Sequence, residues 1–274
     1  MKLYELLIYG KNKLRYAKDL EYDNNAELLM QFCFNLDRTG YFLASRDEVS
    51  DEKFKEYDSL LDRRVNNEPV QYITGRAFFM GHSFFVSRDV LIPRFDTEIL
   101  VDTVLGFAQP EMKILDMCTG SGCIILSILS KVKAYAVGAD ISKAALSVAK
   151  INAERLGISV NLVESDLFEN INEKFDIIVS NPPYITYDEI PALERQVLDF
   201  EPETALIASD NGLFFYKEII KNKEFLKNDG MLFFEVGHTQ SSAVSELLKN
   251  AEFTDINTVR DFNGINRVVY ARKE

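Results

Sequence analysis

From Met112 onward the chain alternates short apolar runs with amphipathic stretches, and this rhythm constrains the fold more than any other feature. Strands are predicted at 113–116, 135–140, 160–164, 175–180 and 231–236. Helices are predicted at 123–130 and 142–156 between the first pairs, then at 189–198, 213–226 and 241–249. Late strand candidates are 256–259 and 267–271. Parallel strands need long crossovers, usually helical, so the pattern predicts an α/β, Rossmann-like, doubly wound sheet with parallel strands. A β-hairpin precedes it, with Phe78-Phe79-Met80 and Phe84-Phe85-Val86 flanking Gly81-His82-Ser83. Thr97 is read as the cap of a helix through Val101, Val104, Leu105 and Phe107.

The first 75 residues keep a helical period instead. Leu3, Leu6, Leu7 and Leu14 fall on one helix face. Asn24 or Asn25 is the expected cap of a second helix carrying Leu28, Leu29, Phe32 and Leu36. Ser50 is the expected cap of a third, with Phe54, Tyr57, Leu60, Leu61 and Val65 as its stripe, and Pro69 ends that pattern. The expected organisation is a small helical domain over 1–75, a hairpin linker over 76–93 and a catalytic α/β domain over 94–274.

Charge narrows the partners. Lys and Arg number 31 against 43 Asp and Glu, a net charge of −12. Residues 1–76 hold 12 basic and 14 acidic side chains, which leaves 19 against 29, or −10, for the rest. Duplex DNA is bound by neutralising phosphates with Lys and Arg, so this balance argues against it. The three cysteines, Cys33, Cys118 and Cys123, form no Cys-x-x-Cys pair, and only two histidines accompany them. No structural metal site is expected, and a reducing, cytoplasmic setting fits. No apolar run approaches the roughly 18 residues that span a bilayer, and the N-terminus does not read as a signal peptide.

Asp116-Met117-Cys118-Thr119-Gly120-Ser121-Gly122 stands between the first strand and its helix. Glycines there let the backbone turn tightly and approach a ligand at the helix N-terminus. The loop lacks the Gly-Lys-Ser/Thr ending of a phosphate-gripping loop. Asp140 ends the second strand, where a carboxylate accepts hydrogen bonds from both ribose hydroxyls, or else caps the next helix. Asp166 and Leu167 follow the third strand; the first can accept from an exocyclic amine and the second can face an adenine. These features point to an adenosine-containing cofactor and leave NAD and S-adenosylmethionine open.

The fourth strand runs into Asn181-Pro182-Pro183-Tyr184. The prolines stiffen the loop. The Pro182 carbonyl and the Asn181 side-chain oxygen are two acceptors, which is what a planar –NH₂ group requires, and Tyr184 offers an aromatic face. An amide or aryl amine is a poor nucleophile because its lone pair is delocalised. Fixing both N–H groups aims the nitrogen at an electrophilic methyl, and positioning of this kind is worth about 7–11 kcal/mol in favourable cases. No general base is needed first, since the proton becomes acidic only after the new N–C bond forms.

Together these segments resemble a class I S-adenosylmethionine-dependent methyltransferase acting on a planar amine. Glu68-Pro69-Val70-Gln71-Tyr72-Ile73-Thr74-Gly75, Leu91-Ile92-Pro93-Arg94-Phe95-Asp96-Thr97-Glu98 and Phe200-Glu201-Pro202-Glu203-Thr204-Ala205-Leu206 narrow the likeness to HemK-type release factor glutamine methyltransferases. The resemblance implies methylation of the side-chain nitrogen of the Gly-Gly-Gln glutamine in class I release factors, with the helical domain holding the release factor. It places the glutamine amide on Asn181 and the Pro182 carbonyl beside Pro183 and Tyr184. It places the cofactor on Asp116, Cys118, Thr119, Gly120, Ser121, Gly122, Asp140, Asp166, Leu167 and Asn181. Two positions depart from the family pattern: Cys118 where the loop usually begins with Gly, and Phe95 where Pro is frequent. The rival readings are an adenine-specific DNA amino-methyltransferase, which shares Asn-Pro-Pro-Tyr, a ribosomal-protein glutamine methyltransferase, a nicotinamide dehydrogenase and a non-catalytic binding module.

Overall fold

The computed structural model describes residues 1–19 and 21–274. The chain divides into two compact units, residues 1–76 with 194–200, and residues 77–193 with 201–274.

The smaller unit is helical. Its elements are α1 (Leu3–Tyr16), α2 (Tyr22–Phe34), α3 (Arg38–Ala44), α4 (Asp51–Val65) and α5 (Val70–Thr74), with the single turn α9 (Arg195–Leu198) from the distant segment. Leu6, Leu14, Leu29 and Leu61 are fully buried around Tyr57, whose hydroxyl donates to the Ala26 carbonyl at 3.0 Å. Gly10 is needed there, because a Cβ would meet the Tyr57 hydroxyl at 2.1 Å. Ser50 does cap α4, accepting from the Lys53 N–H. Asn24 and Asn25 do not cap α2. Asp19 organises the turn before it by accepting from the Glu21 N–H, so the helix starts at Tyr22. Asn25 is then interior and buried, and its amide donates to Asp19 at 2.9 Å. α3 and α5 lie outside the helices that the sequence pattern predicts. α4 ends at Val65 with Asn66 as its cap, and Pro69 stands at the N-cap of α5.

The larger unit opens with a hairpin, β1 (Ala77–Phe79) and β2 (His82–Phe84). Its turn is Met80-Gly81 rather than Gly81-His82-Ser83, with φ of +49° and +76°. Two-residue turns with positive φ match the twist of the strands they join. Then follow α6 (Thr97–Leu105), β3 (Lys113–Met117), α7 (Cys123–Leu129), β4 (Tyr135–Asp140), α8 (Lys143–Leu156), β5 (Asn161–Glu164) and β6 (Phe175–Ser180). The unit ends with α10 (Phe214–Lys221), β7 (Leu226–Glu235), α11 (Ser241–Asn250), β8 (Phe253–Arg260) and β9 (Asn266–Lys273).

The seven-stranded sheet has the order β5-β4-β3-β6-β7-β9-β8. Strands β3 to β7 pair in parallel, as the alternation predicts. The sheet is nevertheless mixed, because β9 returns from β8 by a tight loop and inserts antiparallel between β7 and β8. One apolar cluster gathers Leu115, Ile178 and Phe234, the other Ile114, Ile177 and Phe233. Successive residues of β3, β6 and β7 thus feed opposite faces, so these strands read as continuous apolar runs.

Three helix boundaries differ from expectation. Residues 189–198 form a 3-10 turn at Ile190–Ala192 and then α9, separated by extended Leu193 and Glu194; neither piece buries a residue, so no apolar stripe holds a longer helix. α10 stops at Lys221, where the Asn222 amide donates back to the Glu218 carbonyl and competes with the helix ladder. Thr97 is the first residue of α6 and not its cap, which is Asp96.

Candidate active site

The carboxyl ends of β3, β4 and β6 open onto a cleft of about 430 Å³. Ligands of this fold sit at such a strand-order reversal, here between β3 and β6. The Ser180 hydroxyl donates to the Met117 carbonyl at 2.6 Å and locks those two strand ends together.

The glycine loop is held from beneath. Asp116 is fully buried and accepts from the Thr119 hydroxyl at 2.6 Å. Its other oxygen has no hydrogen-bond partner, and burial raises its pKa to about 7. The Asn152 amide donates to the carbonyls of Ser121 and Phe85, fastening the loop to the hairpin side. Gly122 begins α7 at φ +77°, with Ala149 and Leu126 crowding the place of a Cβ. Gly120, at φ +53°, has open space where a Cβ would be, so the backbone faces the cleft bare. Cys118 adopts φ +65°, a left-handed conformation that costs a side-chain-bearing residue energy.

Asp140 closes β4 on the cleft wall. One oxygen accepts from the Gly120 N–H at 2.8 Å and the other from the Ser142 N–H at 2.9 Å. The cap of α8 is Ser142, which accepts from the Ala145 N–H, so Asp140 is not that cap. Burial raises the Asp140 pKa against the opposing backbone hydrogen bonds. Asp166 and Leu167 line the same cleft, Leu167 at φ +47°. The walls therefore combine a bare glycine backbone, a carboxylate with lone pairs to spare, a second acid and an apolar side chain. That set fits an adenosine-containing cofactor.

Asn181 and Pro183 also line the cleft. The Asn181 amide nitrogen donates to the Thr97 hydroxyl at 3.3 Å. Pro182 is buried, and Tyr184 is half-buried off the cleft walls beside Gly237. Desolvation raises the Tyr184 pKa, so its hydroxyl stays protonated. The Tyr184 carbonyl accepts from the Gln240 amide at 3.0 Å, and Gln240 accepts from the Gly237 N–H at 3.1 Å. Gln240 thus clamps the Asn-Pro-Pro-Tyr turn to the turn after β7.

Of the residues singled out in the sequence, Cys118, Thr119, Gly120, Ser121, Asp140, Asp166, Leu167, Asn181 and Pro183 line the cleft. Asp116, Gly122, Pro182 and Tyr184 are not on its walls; the first two shape the loop that is. Sequence reasoning missed Gln240, Glu235 and the polar role of Thr97. A charged residue ending the apolar run Met231-Leu232-Phe233-Phe234 was the available signal for Glu235. Glu201 braces the rim of the cleft. It accepts from the Ile92 N–H at 3.3 Å and from Arg94 at 2.5 Å, holding the Ile92-Pro93-Arg94 rim.

Among the described residues no cluster of His, Cys, Asp and Glu is arranged to hold a metal, and no helix is long and apolar enough to cross a membrane. The three cysteines are free.

Relatives agree with this geometry. Residues 5–75 match the family described as PrmC N-terminal domain, and residues 94–198 match the methyltransferase small domain. The chain is 39% identical to a release factor glutamine methyltransferase of Clostridium acetobutylicum, over 99% of this chain and 98% of that one. It is 40% identical to one of Koribacter versatilis, over 91% and 90%. A methyltransferase from Pyrococcus furiosus shares the fold, with a TM-score of 0.57 at 15% identity, covering 79% of this chain and 98% of that one. Relatedness of this order along nearly the whole length means that the chain belongs to the release factor glutamine methyltransferase family, S-adenosylmethionine-dependent enzymes of Rossmann-like fold.

Proposed function

We propose that this enzyme transfers a methyl group from S-adenosylmethionine to the side-chain nitrogen of the Gly-Gly-Gln glutamine of class I release factors, in the cytoplasm. One observation carries the reading. Asn181, at the end of β6, lines the same cleft as the Gly120 backbone and Asp140, so a planar amide and an adenosine cofactor can meet there.

When bound, S-adenosylmethionine supplies an electrophilic methyl on a sulfonium. Asp140 would hold the ribose hydroxyls, Asp166 the exocyclic amine and Leu167 the adenine, since all three line the cleft. The Asn181 side-chain oxygen and the Pro182 carbonyl accept the two amide N–H groups and aim the nitrogen at the methyl. Tyr184, behind the cleft wall and held through its carbonyl by Gln240, would back the turn that receives the glutamine. The chain needs no base before transfer, so its sparse histidines are no obstacle. The helical domain, residues 1–75, holds the release factor, residues 76–93 form the hairpin linker, and residues 94–274 carry the chemistry.

The test is incubation with labelled S-adenosylmethionine and purified release factor, with the modified residue mapped by mass spectrometry. The label is expected on the glutamine nitrogen. Asn181→Ala is expected to lose most transfer while cofactor affinity stays near normal. Label on plasmid DNA and none on release factor would reverse the substrate assignment. Retained turnover in Asn181→Ala would remove that residue from its role.

A further inference from the structure

Glu235 closes β7 after four buried apolar residues. The residue is 3% exposed, and its Oε2 has no hydrogen-bond partner. Burying a carboxylate with so few donors costs several kcal/mol. Side chains left in such expense beside a cleft are candidates for function. Two polar groups face this one: the Thr97 hydroxyl and the Asn181 amide. Thr97 is itself 2% exposed, and its Oγ1 is the acceptor for Asn181 Nδ2.

The chemistry of the three groups gives them an order. The two ends of an asparagine amide have nearly the same shape and opposite hydrogen-bonding polarity, so only the partners decide which way it points. A threonine hydroxyl can donate or accept, and by itself it does not decide. An ionised carboxylate only accepts. With Glu235 ionised, as it is above about pH 7, the Thr97 proton turns toward the carboxylate. The Thr97 lone pair and the carboxylate itself then both draw the Asn181 –NH₂. Asn181 Oδ1 consequently points away from Thr97.

We propose that Glu235 is a positioning residue which, directly and through Thr97, locks the Asn181 amide so that Oδ1 is presented to the substrate. This rests on the reading that Asn181 Oδ1 accepts a glutamine N–H. It also makes the site selective. Glutamine brings N–H donors to Oδ1, whereas a glutamate of the same shape brings only oxygens and is repelled. A flipped Asn181 would present –NH₂ and welcome the glutamate. In Glu235→Gln the new amide can donate to Thr97, which frees the Thr97 proton to bond Oδ1 and permits the flip.

The experiment uses the full chain as wild type, Glu235→Gln, Thr97→Val, Thr97→Ser and Asn181→Ala. Each is assayed for methylation of intact release factor and for binding of that factor with Gln or Glu at the target position. Losing one buried, oriented hydrogen bond predicts a fall in kcat of about 10- to 100-fold for Glu235→Gln and Thr97→Val. The KM for S-adenosylmethionine should stay within about twofold, since uniform cofactor binding is untouched. The wild-type preference for Gln over Glu in binding should collapse toward unity in both variants. Thr97→Ser, which keeps the hydroxyl, should recover what Thr97→Val loses. A Glu235→Gln enzyme that keeps the wild-type Gln-over-Glu preference overturns the proposal, whether or not kcat has fallen. If Asn181→Ala still methylates, the reading of Asn181 fails and the proposal with it. If Asn181→Ala is inactive and Glu235→Gln is unaffected, only the locking role fails.

Discussion

Replacing Glu235 by Gln should make the protein more stable at neutral and alkaline pH, and not below pH 4.5. Desolvation raises the Glu235 pKa from an ordinary 4.5 to about 7. Each tenfold change in proton affinity is worth about 1.4 kcal/mol, so the full penalty is about 3 kcal/mol. The sign follows from proton occupancy. Below pH 4.5 the carboxyl is protonated both folded and unfolded, and there is no penalty. Between pH 4.5 and about 7 the unfolded chain ionises while the folded one holds its proton, so stability falls as pH rises. Above about 7 both states are ionised and the whole penalty stands. Gln titrates in neither state, and its amide needs partners of its own, which takes back about 1 kcal/mol. The amide cost is the same at every pH, so the difference in unfolding free energy between Glu235→Gln and wild type should grow by about 3 kcal/mol from pH 4.5 to pH 8. Arg267 and its ion-pair partner Asp96 are the charged groups beside Glu235. Tyr184, Tyr216 and Cys123 feel its charge too. All are common to both proteins, as is Asp116, and their own titrations largely cancel in the difference. Urea unfolding at a series of pH values measures it. A difference that is flat with pH would refute the argument, because it would mean that Glu235 ionises as easily folded as unfolded.

Three further outcomes are expected. Asp140→Ala should weaken S-adenosylmethionine binding by about 10- to 100-fold, the loss of hydrogen bonds to a charged acceptor; unchanged affinity by calorimetry would put the ribose elsewhere. Cys118→Gly should raise the unfolding free energy by about 1 kcal/mol by relieving the left-handed backbone, and a loss in urea unfolding would mean that thiol packing outweighs the strain. The association rate with a basic release factor should fall as salt rises, because 77–274 carries a net −10 and opposite charges speed encounter; a stopped-flow rate indifferent to ionic strength would count against steering.

The sequence made the parallel half of the sheet legible because β3, β4 and β6 are largely apolar and carry a polar residue at or next to their carboxyl ends: Asp116, Asp140 and Asn181. β9 was legible as a strand but not in direction, since an antiparallel return depends on the Asp261–Gly264 turn rather than on β9 itself. Asp261 accepts from the N–H groups of Asn263 and Ile265 and from Arg267, a local organisation with no periodicity to betray it. The helices α3 and α5 are short, and their formation leans on neighbours and not on a stripe of their own. At the site, residues that touch a ligand announced themselves by type and place. The residues that orient them did not. Gln240 and Thr97 look like ordinary polar residues at helix starts, and only the fold brings the first to Tyr184 and the second to Asn181.

Asn-Pro-Pro-Tyr cannot by itself separate a glutamine amide from an adenine amine, because both offer two in-plane N–H donors to the same two acceptors. The separation has to come from what surrounds the reacting nitrogen. An adenine flipped from a duplex brings its phosphates to the mouth of the cleft, and these demand Lys and Arg. Among the described cleft residues Arg94 is the only basic side chain, against Asp89, Asp140 and Asp166. Arg94 is already engaged by Glu201, which is buried behind it. Freeing that guanidinium for a phosphate would leave the Glu201 carboxylate buried without its partner, a cost of about 3–5 kcal/mol. A glutamine on a protein loop arrives with no such phosphates. It needs only the two acceptors and a rim that does not move, and the Glu201 that pairs with Arg94 braces that rim through the Ile92 backbone.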